Sequence, residues 1–166
     1  MSTRTKAILG SALFLLIGPG TVSVLIPWWI TRWQMPDQGP ATWVLLPALI
    51  LILVGSGFLI HAFGRFAVQG LGTPSPLDPT ERLVHTGVYR WVRHPMYLAI
   101  QAIILGQALL FSDWRLVLYS AATCAAMFSF VRWHEEPVLA KRFGEEYQRY
   151  RETVPGWWPR RPHSSD

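Results

Sequence analysis

Two groups of residues carry most of the chemistry open to this chain: Tyr89-Arg90-Trp91-Val92-Arg93-His94, directly followed by Pro95, and the paired carboxylates Glu135-Glu136. The carboxylates can accept hydrogen bonds from an ammonium or from hydroxyls. The guanidinium groups can hold an anion through parallel bonds, and an imidazole can give or take a proton near neutral pH. Proline suits the first turn of a helix, so a helix starting at Pro95 would add exposed backbone amides, which attract a carboxylate. Taken singly, each charged residue reads first as an interfacial ion pair of small energetic value. Their meaning depends on whether the chain brings both groups together.

The intervening sequence predicts that it does. The apolar runs Pro95 to Phe111 and Trp114 to Trp133 are separated only by Ser112-Asp113. They should form an antiparallel hairpin with arms of roughly 26 and 30 Å at 1.5 Å per residue. The start of one arm then meets the end of the other, with Arg93-His94 beside Glu135-Glu136.

Of the 166 residues, 51% are hydrophobic and only 15% charged, more apolar than a soluble core of this size can hide. Residues 7–30, 43–63, 95–111 and 114–133 are apolar segments near the roughly 17 to 25 residues that span a bilayer. The expected fold is therefore an all-α integral membrane protein, one membrane domain over 1–166 with about four transmembrane helices. Gly18-Pro19-Gly20 predicts a kink in the first. His61, Gln101 and Gln107, polar within apolar surroundings, should face the bundle interior. The apolar run after the N-terminal MSTRTK is long and lacks a clear cleavage site, so it reads as a retained helix.

Charge sets the orientation. Arg4 and Lys6, the second loop with Arg65, Arg82, Arg90 and Arg93, and the tail from Arg132 to Arg161 hold the excess of cations. Four spans place these on one side, cytoplasmic by the positive-inside rule, together with both termini. The net charge of +5 and a pI near 9.9 thus point to topology and anionic headgroups rather than nucleic acid, for which no groove-reading motif is present. Many of the nine tryptophans, Trp28, Trp29, Trp33, Trp43, Trp114 and Trp133 among them, flank apolar runs as an interfacial belt does. Cys124 is the single cysteine, which excludes an intrachain disulfide and a cysteine zinc cluster; no metal site is expected. The cytoplasmic loop 64–94 contains the turn-rich Gly70-Leu71-Gly72-Thr73-Pro74, and residues 136–154 repeat Leu139, Phe143, Tyr147, Tyr150 and Val154 at helical spacing. The latter predicts an amphipathic helix that ends at Val154-Pro155.

The combination of Gly87-Val88-Tyr89, Arg93-His94-Pro95-Met96-Tyr97, Glu135-Glu136-Pro137-Val138-Leu139, Phe143-Gly144-Glu145-Glu146-Tyr147, Tyr150 and Val154-Pro155 resembles the isoprenylcysteine carboxyl methyltransferase family. The likeness covers Leu83 to Pro159. Phospholipid N-methyltransferases and a group of sterol reductases share a related arrangement. The resemblance implies an S-adenosyl-L-methionine site at the cytoplasmic ends of the last two spans, and a lipophilic or membrane-delivered acceptor. In that setting Glu135 and Glu136 would take the cofactor's ammonium and ribose hydroxyls, and His94 with the amides after Pro95 its carboxylate. Tyr89 and Tyr97 would border the adenine or the methyl group. Gly70 and Gly72 recur as a short glycine motif in related phospholipid methyltransferases and are candidate cofactor contacts. The chain departs from the usual pattern at Ala99, where many relatives carry glycine, and at Glu81 and His85.

Methyl transfer from a sulfonium needs alignment and exclusion of water more than strong acid or base. A carboxylate acceptor would call on Arg93 or Arg90 for orientation, and an amine acceptor on Glu135 or His94 as base. His94 precedes proline and should be extended, which separates the arginines: Arg93 to the site, Arg90 to headgroups or the tail. Arg93 and Glu135 are the candidate catalytic residues. Phospholipid N-methylation is the first alternative; an NADPH-dependent sterol-type reductase, for which the chain is short, and a catalytically silent lipid-binding module are others. Compact size without sorting signals points to a bacterial inner membrane. Oligomeric state and the acceptor's identity are not written in these residues.

Overall fold

A computed structural model describes residues 3–69 and 82–160. Gly70, Gly72 and Glu81 lie outside the described residues. Helices α1 (Thr3–Gly20) and α2 (Ile26–Thr31) join through a π turn (Thr21–Leu25) into one rod, followed by α3 (Thr42–Gln69). A 3-10 turn (Gly87–Arg90) leads to α4 (Pro95–Phe111), and α5 (Trp114–Phe130) continues through a second π turn (Val131–Glu135) into α6 (Glu136–Phe143). Helix α7 (Glu145–Thr153) comes last. Among the described residues there is no strand.

Ala12–Thr31, Thr42–Arg65 and Trp114–Phe143, of 20, 24 and 30 residues, are long and apolar enough to cross a membrane, while the apolar α4 has 17. At 1.5 Å per residue α4 is roughly 26 Å long, close to a hydrocarbon core of about 30 Å. Its residues Ala99, Ile100, Ile103, Ile104, Gly106, Gln107 and Ala108 are buried, so it is the central rod. The other helices turn large apolar side chains outward, Leu16 at 72%, Leu53 at 69% and Ile60 at 64% exposure. Water would penalise that surface and acyl chains would not. The chain is an all-α integral membrane protein.

Helices α3 and α4 pack backbone to backbone because small residues meet there. A Cβ on Gly106 would lie 2.7 Å from Ile52 Cγ1 and 2.9 Å from the Ala48 carbonyl, and one on Gly55 would lie 3.0 Å from the Ala99 carbonyl. Close approach of this kind is a common means of association where lipid removes the hydrophobic advantage. Ala99 is thus committed to α3, in a core with Leu59, Phe63, Ile100, Ile103 and Ile104.

The first rod stays helical through Pro19, and its irregularity falls in the π turn Thr21–Leu25 that follows rather than at the proline itself. Buried Ser23 donates to the Pro19 carbonyl at 2.6 Å, and its own carbonyl accepts from Gln107 Nε2 at 2.7 Å, which ties this rod to α4. Gln101 sits between α4 and α5 within reach of Ser120 and Thr123. His61, by contrast, is exposed rather than interior and stands against Gly87.

The short hairpin is closed by Ser112 at φ 51 and by Asp113, whose carboxylate accepts from the Arg115 backbone N–H at 2.9 Å and pairs with its guanidinium. At the opposite end the single helix expected over 136–154 is divided. Gly144, at φ 51 and ψ −124, ends α6 and starts α7, a backbone conformation open to glycine.

Candidate active site

The approach to α4 is positioned first by Gly87. At φ +63, with a notional Cβ only 2.8 Å from Arg65 Nε, it lets the 3-10 turn lie against α3. Tyr89 and Val84 then bury against Ala62. Beyond the turn the chain is irregular, with Trp91 at φ −101 and ψ −34 and His94 at φ −118 and ψ 56 rather than extended as the following proline suggested, and the tail returns beside it. The Arg93 N–H donates to the Pro155 carbonyl at 2.9 Å, His94 N–H to Gly156 at 3.3 Å, and Arg160 N–H to Trp91 at 3.0 Å. Gly156 permits this approach, since a Cβ there would stand 3.1 Å from Arg93 Nη2.

Arg93 and His94 meet Glu135 and Glu136 at this junction. Arg93 Nη1 lies 2.6 Å from Glu136 Oε1 and donates to the Tyr147 hydroxyl at 3.1 Å. Tyr97 donates to Glu135 Oε2 at 2.7 Å. His94 is 3% exposed, with Nδ1 at 3.4 Å from Glu135 Oε1 and Nε2 at 3.8 Å from Glu136 Oε1. Neither ring nitrogen has a hydrogen-bond partner, nor does the buried Arg93 Nε. Unsatisfied buried donors cost free energy, so this junction is built to receive further polar atoms.

Tyrosines seal it from the side of α7. Tyr150 donates to the Tyr89 carbonyl at 2.8 Å, and Tyr147 is 1% exposed. Burial raises the phenols of Tyr89, Tyr147 and Tyr150 above their ordinary value, so they act as neutral groups at physiological pH. Trp157 closes the remaining side, its ring 5.2 Å from His94, 6.2 Å from Tyr97 and 5.7 Å from Phe128.

A cavity of about 480 Å3 extends from the junction. Such a volume is in the range, about 300 to 1,000 Å3, of small-molecule sites. Tyr89, Arg93, His94, Pro95, Tyr97 and Glu135 line one end with Tyr147 and Tyr150. Phe14, Val22, Phe63, Ile100, Met127 and Phe130 line the remainder. Chemically it is a polar, half-enclosed head joined to an apolar body, shaped for a charged small molecule beside a lipophilic one. At the far side of the body the first rod is tied to α5 by Tyr119, whose hydroxyl donates to the carbonyl of Val22 in the first π turn at 2.9 Å.

Of the residues predicted from sequence, Tyr89, Arg93, His94, Pro95, Tyr97 and Glu135 come together on the cavity. Glu136 stands behind it as the partner of Arg93. Arg90 is exposed. Gly70 and Gly72 fall outside the described residues. Sequence reasoning missed Trp157, the Arg93–Tyr147 bond, the contribution of the first helix through Phe14, Gly18, Pro19 and Val22, and His134.

A family model for phospholipid methyltransferases matches residues 43–146. Three relatives carry the name protein-S-isoprenylcysteine O-methyltransferase. That of Xenopus laevis is 34% identical over 131 residues, covering 75% of this chain and 43% of the relative. That of Schizosaccharomyces pombe is 34% identical over 77 residues, 46% of this chain and 33% of the relative. The Rattus norvegicus protein is 27% identical over 138 residues, 75% of this chain and 44% of the relative. The chain therefore spans less than half the length of these relatives. No solved structure matches it. With the model covering most of the chain and both halves of the motif lining one cavity, the chain belongs to the phospholipid methyltransferase family.

Proposed function

We propose that the protein is an integral membrane methyltransferase that uses S-adenosyl-L-methionine to methylate a lipophilic or membrane-delivered acceptor at the cytoplasmic face. The observation that carries this reading is the joining, in one cavity, of an ionic head with unsatisfied buried donors to an apolar body that includes the first helix.

The residues fit the cofactor. It bears an ammonium and a carboxylate on its amino-acid end, and when bound it supplies an electrophilic methyl on sulfur. Glu135, held by Tyr97, is placed to accept from the ammonium or the ribose hydroxyls. Arg93 Nε and His94, the buried donors without partners, suit the carboxylate. Tyr89 and Pro95 complete the wall. Glu136 balances Arg93, so the guanidinium stays in place when the site is empty of anions. The tyrosine and tryptophan rings keep bulk water from the head, which strengthens each of these interactions.

Cation distribution supports the cytoplasmic assignment, and the compact bundle suits a bacterial inner membrane. The reading is tested by Glu135→Ala and His94→Ala, each expected to weaken S-adenosylhomocysteine by about 1 to 3 kcal/mol, the range for a lost charged hydrogen bond. Calorimetric titration in detergent measures this. Unchanged affinity in both folded variants would place the cofactor elsewhere.

A further inference from the structure

Helix α3 ends on two side chains that none of the preceding chemistry uses. A Cβ on Gly87 would lie 2.8 Å from Arg65 Nε, 3.4 Å from Arg65 Cζ and 3.3 Å from His61 Nε2. The guanidinium and the imidazole, four residues apart on one face of α3, therefore converge on the space that Gly87 leaves free. Gly87 opens the 3-10 turn Gly87–Arg90, and residues three apart in such a turn eclipse. That register puts the exposed Arg90 on the same side of the turn. None of these four residues lines the cavity described above.

No carboxylate balances this cluster. Among the described residues the ion pairs join Arg93 and His94 to Glu135 and Glu136, and Arg115 to Asp113. His61, Arg65 and Arg90 enter none of them. Arg65 is also the last residue of the apolar stretch Thr42–Arg65, so the cluster lies at the level of lipid headgroups. One turn deeper in the span, a Cβ on Gly57 would meet nothing within 4 Å. Val54 and Phe58, beside it on the same face, are 52% and 50% exposed. A shallow apolar strip thus runs beneath a cationic rim.

We propose that this edge of α3 binds an anionic phospholipid, separate from the methyl acceptor. The phosphate takes hydrogen bonds from Arg65 and His61 beside Gly87, Arg90 adds charge, and an acyl chain lies along the strip at Gly57. A guanidinium suits phosphate through its planar fork, and an imidazole donates to it in either protonation state. A zwitterionic lipid would bring its own cation to a cluster that has no carboxylate to receive it. A free phosphate would leave the apolar strip unused. The bound lipid holds the 3-10 turn against α3, where that turn seats Tyr89 on Ala62. The site stands independently of the cofactor reading.

The test uses the purified full chain, stripped of lipid in mild detergent and titrated with dioleoyl phosphatidylglycerol or dioleoyl phosphatidylcholine. Native mass spectrometry counts the lipid retained, and the melting temperature is followed in parallel. One phosphatidylglycerol should be retained per chain in preference to phosphatidylcholine, and it should raise the melting temperature, as a ligand of the folded form does. Arg65→Gln with His61→Gln should weaken retention by about tenfold or more, the size expected for lost charge-assisted hydrogen bonds. Arg90→Gln alone should weaken it less. Arg142→Gln, which removes one exposed charge from α6, should leave it unchanged. The proposal is overturned if phosphatidylcholine is retained equally, if the double variant keeps wild-type retention, or if Arg142→Gln weakens binding as much as it does. Displacement of the lipid by an equal concentration of inorganic phosphate would also overturn it, by assigning the cluster to a free anion. If the double variant melts early without lipid, Arg90→Gln decides alone, and undiminished retention there overturns the proposal.

Discussion

Arg93 is fixed from three sides: Glu136 from α6, Tyr147 from α7, and the tail backbone at Pro155 through its own N–H. Both ionic side chains are 11% exposed, so removing one leaves the other buried without its counter-charge. Arg93→Ala should therefore destabilise the fold by about 3 to 5 kcal/mol, whereas Arg93→Ala with Glu136→Ala should cost clearly less than the sum of the two single changes. Denaturation in detergent measures both, and strict additivity would contradict the pairing. The phenols respond to pH in a defined direction. Burial raises Tyr150 above its unfolded value near 10, so its contribution to stability is present below about pH 10 and is lost as pH rises beyond it. Tyr150→Phe should flatten the alkaline fall in melting temperature relative to wild type. The ionic residues of this site were legible because the two-residue link Ser112-Asp113 makes a hairpin of α4 and α5 and so brings their charged ends together. Trp157 was not, because its place depends on the tail pairing with residues 91–94, and Val154-Pro155 signals only a helix stop. His134 carried no motif of its own, and its exposure to the cavity depends on a π turn.

Helical elements were predictable from apolar length, and the hairpin from Ser112-Asp113. Their defects were less so. A π turn is a shift of one hydrogen bond along a helix and leaves no composition signature, so neither Thr21–Leu25 nor Val131–Glu135 could be read in advance. Gly144 did carry a signal, glycine after a short amphipathic run with Lys141 and Arg142 in the last turn, but the periodicity of Phe143, Tyr147 and Tyr150 continues across it and suggested one helix. Packing of α3 on α4 gives a sharp test. Gly106→Val places side-chain atoms where Ile52 and the Ala48 carbonyl already stand. It should cost at least the roughly 1 to 3 kcal/mol typical of overpacking, while Gly57→Val, with open space around it, should cost far less. Equal losses would mean that the helices are not in close contact at Gly106.

The described residues form a bundle in which α4 is largely buried by its neighbours and the polar head of the cavity sits where the last two membrane helices meet the tail. That arrangement requires Arg160 and Arg115 to face opposite sides of the membrane. In a Cys124→Ala background, Arg160→Cys should react with an impermeant maleimide only from the cytoplasmic side and Arg115→Cys only from the other. Labelling of both from one side would break the hairpin. The measurement that bears most directly on the central claim is a binding titration of the purified wild-type protein in detergent with S-adenosylhomocysteine, set against NADPH. Saturable, one-site binding of S-adenosylhomocysteine with no binding of NADPH is the predicted result. Binding of NADPH alone, or of neither molecule, would contradict the assignment of a methyltransferase site to this cavity.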